Sequence, residues 1–96
     1  MAIAFRHLAR KPNGDTEIEG SGVRVYTVLG LRQAGDTPEE IADAYRLPLG
    51  AVYEALAYAA DNPEEMDAIR QAEADIERDW LSRLPEELRR GADLSR

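Results

Sequence analysis

Thr37-Pro38-Glu39-Glu40-Ile41-Ala42-Asp43-Ala44-Tyr45-Arg46-Leu47-Pro48-Leu49-Gly50-Ala51-Val52-Tyr53-Glu54-Ala55-Leu56 reads as two short helices joined by a tight turn. Thr37 is suited to cap the first of them, Pro38 to occupy its first position, and Glu40 to complete a T-x-x-E capping box. Ile41, Ala42 and Tyr45 fall one turn apart and predict an inward face. Ala42 is small where a second helix must approach closely, and Val52 is placed to fill the angle between the two. This is the pattern of a helix-turn-helix, which sets its second helix in the DNA major groove. It also fits an ordinary antiparallel helix pair in a small bundle.

Two features of the stretch complicate a DNA-reading role. Arg46 stands at the turn position where glycine usually takes a left-handed conformation, at a cost of about 1 kcal/mol unless the turn has another shape. The predicted outer face of the second helix offers Leu49, Gly50, Ala51, Tyr53, Glu54 and Ala57. Base edges are usually read by Arg, Lys, Asn or Gln, and none stands there. The residues left for DNA are Arg24, Arg32 and Arg46 for phosphate and Tyr53 for groove contact. The alternative is that these arginines only solubilise the surface.

On the N-terminal side, Ala2 to Leu8 alternates in the manner of a short strand. Lys11-Pro12-Asn13-Gly14-Asp15 is rich in turn formers, and Thr16 to Glu19 is expected to pair back as a second strand. Gly20-Ser21-Gly22 then breaks the chain. A helix is predicted from Val25 to Ala34, with Gly35 as its stop. The third helix is predicted over Leu49 to Ala60, with Val52, Leu56 and Ala59 or Ala60 inward and Tyr53 and Tyr58 flanking.

On the C-terminal side, Asn62-Pro63-Glu64-Glu65 is a second helix-start signal, for a long helix ending near Arg83. A proline-kinked continuation of the third helix fits the same residues. Met66, Ile69, Ile76, Trp80 and Leu84 fall in a stripe about 100° wide, opposite Glu64, Asp67, Arg70, Asp75, Arg78 and Asp79. The stripe either packs on the preceding helices or serves a partner, with Trp80 as anchor. It outruns a three-helix core, so Ile76, Trp80, Leu81, Leu84 and Leu88 are the candidates for partner binding. Leu84 to Leu88 restarts a short turn expected to close at Gly91, with loose residues beyond.

The 96 residues carry a net charge of −7, unevenly spread. Residues 1–35 hold five basic and three acidic groups, and residues 36–96 hold seven and sixteen. A positive head precedes a strongly acidic body, a poor balance for non-specific nucleic-acid binding. There is no cysteine, which excludes disulfides and thiolate metal sites. No apolar run approaches the roughly 18 residues of a membrane span, and no apolar signal core opens the chain. The expected location is the cytoplasm, with no membrane partner.

Catalysis has no visible set of residues. His7, the single histidine, is read as a surface residue on the predicted first strand. The pairs Glu39/Glu40, Glu64/Glu65 and Glu86/Glu87 follow prolines at helix starts, where they complement the helix dipole. Neither metal-loop spacing nor a phosphate-cradling glycine loop is present. A non-enzyme without metal or cofactor is expected.

Gly22-Val23-Arg24-Val25, the T-P-E-E-I-A-D-A-Y stretch and L-P-L-G-A-V-Y-E-A-L-A-Y-A-A-D-N-P-E-E-M-D together resemble the DUF433 family, whose members include VapB-type antitoxins with a helix-turn-helix. The resemblance covers roughly Ile18 to Ile69. It departs at Val23, where the family tends to have threonine, and at Pro48, where a serine-like cap is common. It implies a small, often dimeric antitoxin of DNA-binding type, encoded beside a PIN-like ribonuclease toxin.

The fold expected is all-α: a three-helix helix-turn-helix domain with a short N-terminal β-hairpin over residues 1–62, then an extended C-terminal helix and tail over 63–96. The function expected is an antitoxin-type regulator that is a homodimer, neutralises a PIN-like toxin and binds operator DNA. The alternatives are a plain transcriptional regulator and an adaptor with a protein-binding role and no DNA contact.

Overall fold

A computed structural model describes residues 5–88. The chain is mostly helical, with a small antiparallel sheet at its N-terminal end and a long C-terminal helix. Its elements are β1 (Leu8–Arg10), β2 (Thr16–Ile18), β3 (Val23–Arg24), α1 (Val25–Gln33), α2 (Pro38–Tyr45), α3 (Leu49–Asp61) and α4 (Pro63–Arg83). Residues 86–88 add one further turn of helix. The expected close at Gly91 and the residues after it lie outside the described residues. The chain divides into two units, Met1–Met66 and Asp67–Arg96.

In the first unit, three strands replace the expected two-stranded hairpin, so the domain is not purely α. They lie in the order β1-β2-β3, all antiparallel, with Leu8 opposite Ile18, Arg10 opposite Thr16, and Ile18 opposite Val23. Gly20-Ser21-Gly22 does more than break the chain. Gly20 and Gly22 both adopt positive φ, and the Ser21 N–H returns to the Ile18 carbonyl at 3.1 Å. That reversal, open to glycine without steric cost, feeds Val23 and Arg24 back onto β2.

The first strand also begins later than its alternation predicts. The turn at 11–15 is closed by the Lys11 N–H on the Asp15 carbonyl at 2.7 Å, and it sets β1 immediately before it. Phe5, Arg6 and His7 precede the strand, and Ala2 to Ala4 lie outside the described residues.

α2 starts as its residues dictate. The Thr37 hydroxyl accepts from the Glu40 N–H at 3.1 Å, and the Glu40 carboxylate accepts from the Thr37 N–H at 2.8 Å. It ends at Arg46, which takes the left-handed conformation at φ 55, ψ 49. The Leu47 N–H reaches the Ala42 carbonyl at 2.8 Å and the Arg46 N–H the Asp43 carbonyl at 3.4 Å. This is a Schellman closure with arginine in the glycine seat. Because the chain curls back there, Leu47 is half-buried while Tyr45, expected inward, is 44% exposed.

The core is formed by Ile18, Val25, Val28, Ile41, Ala51, Val52, Ala55, Ala59 and Met66. Ala51, expected on the outer face, is fully buried. α3 packs closely against α1, and the alanines at 51, 55 and 59 supply the clearance. Leu56 and Tyr58 are half-buried and Ala60 is exposed.

α3 and α4 are separate helices. Asn62 leaves helical geometry at φ −131, ψ 58. Its side chain donates to the Tyr58 carbonyl at 2.9 Å, so it closes α3, and its carbonyl accepts from the Met66 N–H at 3.2 Å. A polar cluster holds the first turn of α4 to the sheet. The Tyr58 hydroxyl donates to Glu65 at 2.7 Å and accepts from Arg10 at 2.7 Å, while buried Thr16 donates to Tyr58 at 3.2 Å.

In the second unit, every residue of α4 from Arg70 to Trp80 is exposed. Three intrahelical ion pairs brace this segment: Arg70 with Asp67, Arg78 with Asp75, and Arg83 with Asp79. Spacings of three and four residues bring such side chains together on a helix surface, for a few tenths of a kcal/mol each.

Candidate functional site

Of the four residues assigned to DNA from sequence, Tyr53 lies on α3, Arg46 closes α2 and Arg32 lies in the last turn of α1. Tyr53 is 49% exposed, and its hydroxyl donates to Glu39 Oε2 at 3.1 Å. That hydrogen bond, then the Glu39 charge, holds the phenol above its ordinary value, while Arg32 pulls it the other way. Arg32, Glu39 and Tyr53 therefore form one electrostatic group at the C-terminal end of α1. Arg46 lines an open hollow of about 390 Å³ with Glu39, Ala42, Asp43, Leu47 and Leu49. A phosphate approaching Tyr53 or Arg46 meets Glu39 and Asp43 as well.

Arg24 is placed elsewhere. It precedes the first residue of α1 and Arg32 lies in the last turn, about 12 Å along the axis at 1.5 Å per residue. The Arg24 guanidinium lies 3.7 Å from the Asp15 carboxylate and 5.4 Å from the centre of the Tyr26 ring. Both contacts hold it on the sheet side of the helix.

The flank of α3 is occupied by the N-terminal segment, which sequence reasoning missed. Glu54 Oε1 accepts from the His7 backbone N–H at 2.9 Å, and Oε2 lies 2.5 Å from His7 Nδ1. An ionised carboxylate only accepts, so Nδ1 carries the proton in this contact. Burial pushes the Glu54 carboxyl upward. The His7 N–H, the His7 ring and the Arg6 N–H outweigh it, and the net shift is below the ordinary value of 4.5. Two residues before His7, Phe5 packs edge-on against Tyr58 at 5.8 Å between ring centres. His7 is therefore not a free surface residue on a strand, and Glu54 does not face outward for a base. Nothing in local sequence pairs residues 47 apart; the one available signal was a lone histidine ahead of a helix whose apolar middle is interrupted by a single acid, Glu54.

The partner-binding candidates lie in the second unit. Ile76, Trp80 and Leu88 are 58%, 62% and 56% exposed, and Leu81 and Leu84 are half-buried. Leu84 and Leu88 fall after the end of α4, Leu88 on the short helical turn beyond Pro85. Residues 67–88 carry seven carboxylates and three arginines, and all three arginines pair within the helix. Three large apolar side chains thus stand out on an acidic surface. An exposed Leu alone is ordinary, whereas Trp is among the residue types enriched at binding hot spots.

Among the described residues, no group of His, Cys, Asp or Glu is arranged to hold a metal ion. No helix among them is long and apolar enough to cross a membrane.

A three-stranded sheet against three short helices, followed by a long acidic helix, defines a small mostly helical protein with two separate exposed surfaces. The chain belongs to the DUF433 family, described as a protein of unknown function, whose profile matches residues 10–59. The match ends inside α3, so α4 lies outside the family segment. The chain matches no curated protein and no solved structure.

Proposed function

We propose that this chain is an antitoxin-type regulator: a dimeric helix-turn-helix platform whose C-terminal helix holds and inhibits a PIN-like ribonuclease. The observation that carries this reading is the exposure of Ile76 and Trp80 on a helix with surplus negative charge. Such a surface is complementary to a nuclease cleft, which must be basic to bind RNA and apolar enough to stack bases. Electrostatic attraction would speed the encounter, and the Trp80 indole would supply the anchor. Operator contact, if made, falls to Arg32 and Arg46 through phosphates, with Arg24 held away on the sheet side.

A second reading is an adaptor of the same fold that binds protein and not DNA. It is favoured by the absence of Arg, Lys, Asn and Gln along α3 and by Glu39 on the Tyr53 hydroxyl.

The test uses the nuclease-like product of an adjacent reading frame, co-expressed with the full chain. Wild type should restore growth and quench RNA cleavage, and Trp80→Ala should lose both. Unchanged protection by Trp80→Ala would end the role given to α4. A gel shift on the chain's own promoter over a salt series separates the two readings. A complex that weakens steeply with salt supports operator binding, and no complex at low salt leaves the adaptor.

A further inference from the structure

α3 has three faces, and only one of them is bare. At about 100° per residue, Ala51, Val52, Ala55 and Ala59 share one arc, and all four are buried in the core. Gly50, Glu54 and Tyr58 share the next, which the N-terminal segment covers through His7 and Phe5. Leu49, Tyr53, Leu56, Ala57 and Ala60 share the third arc, about 100° wide, and four of these five residues are exposed while Leu56 is half-buried. No charged residue falls in this arc. Leu49, Tyr53, Leu56 and Ala60 follow the spacing of four, three and four that suits a facing helix.

We infer that this stripe is the contact between two copies of the chain, with the α3 helices antiparallel across a two-fold axis between residues 54 and 55. The inference rests on the dimer part of the proposed function and is independent of the nuclease.

The stripe is self-complementary only in that arrangement. A two-fold there sets Leu49 against the partner's Ala60 and Tyr53 against the partner's Leu56. Each layer therefore joins a larger side chain to a smaller one, as interdigitated packing requires. A parallel pairing would oppose Tyr53 to the partner's Tyr53 and leave a gap between the alanines.

Charge favours the same geometry. Arg46 lies beside Leu49 in the hollow at the start of α3, whereas Asp61 ends the helix and Glu64 stands in the first turn of α4 just beyond it. Antiparallel copies bring each Arg46 toward the partner's Asp61 and Glu64. Asp43 shares the hollow with Arg46, and Glu39 is turned onto Tyr53. The helix dipoles also oppose. DNA is the poorer occupant, because the stripe itself carries no donor except a phenol already bonded to Glu39, and the arginines beside it, Arg32 and Arg46, each share their place with a carboxylate, Glu39 or Asp43. In this arrangement Tyr53 is an interface residue and does not enter a groove.

The test is the mass of the full chain by sedimentation velocity over a concentration series. Wild type should run as a dimer. Ala60→Arg, at an exposed helical position that tolerates arginine, should keep the helical circular dichroism and weaken the dimer about 100-fold by burying a charge against Leu49. Arg46→Glu and Glu64→Arg should each weaken it, and the double variant should recover it. Trp80→Ala should leave it unchanged. A wild-type monomer at all concentrations overturns the inference, as does a dimer that survives Ala60→Arg or is lost in Trp80→Ala. Protection against the nuclease, measured on Ala60→Arg, reports on the other reading separately.

Discussion

The carboxylate of Glu54 accepts from the backbone of His7 and lies against its ring, joining α3 to a segment 47 residues earlier. The pair closes one side of α3. It also makes stability depend on pH in a defined direction. The folded-state pKa of Glu54 is depressed, so the pair contributes stability above the ordinary value of 4.5 and loses it as pH falls through the lower, folded-state value. Urea unfolding midpoints measured from pH 7 downward should fall more steeply for wild type than for Glu54→Gln. At neutral pH, Glu54→Ala should cost roughly 1 kcal/mol after allowance for partial solvent screening.

Arg46→Gly should stabilise the fold by about 1 kcal/mol. Glycine adopts φ 55 without the clash between Cβ and carbonyl that arginine carries there. The check is the unfolding midpoint with an unchanged denaturant slope. A destabilised glycine variant would mean that the Arg46 side chain contributes more to the folded state than its backbone strain removes.

Thr37→Ala removes one half of the capping box and leaves the Glu40 N–H without its acceptor. The expected loss is about 1 kcal/mol, seen by the same measurement. Thr37→Ser should retain most of the stability, since the hydroxyl is what accepts.

Trp80→Ala should change stability by less than about 0.5 kcal/mol, because the indole is 62% exposed. Its effect should appear only in partner binding, where loss of an aromatic anchor costs about 2 kcal/mol, or roughly 30-fold in affinity. Calorimetric titration of the nuclease with both proteins, alongside thermal unfolding, checks the two halves together. A fall in thermal midpoint would instead make Trp80 a packing residue.

The helix boundaries were legible because each rests on residues within five positions of one another. Thr37 and Glu40 cap each other, Arg46 takes the left-handed turn, and Asn62-Pro63 ends one helix and starts the next. The exposed Ile76 and Trp80 were legible for the same reason: a stripe longer than the core must leave its far end uncovered. The third strand was less visible. Two residues between Gly22 and the start of α1 carry no alternation, and only pairing with Glu17 and Ile18 makes Val23 and Arg24 a strand.

The faces of α3 mark where local reading stops. Periodicity separates its apolar positions from the rest, but α3 is apolar nearly all round, so no pattern says which arc meets the core. Packing against α1 assigns Ala51, Val52, Ala55 and Ala59 to the interior, and the His7–Glu54 pair closes a second face. Residues near in sequence dictate where this chain turns and where its helices begin and end, since capping and backbone sterics act over a few residues. Which side of each helix remains free depends on contacts between residues dozens of positions apart, and those exist only once the chain has folded.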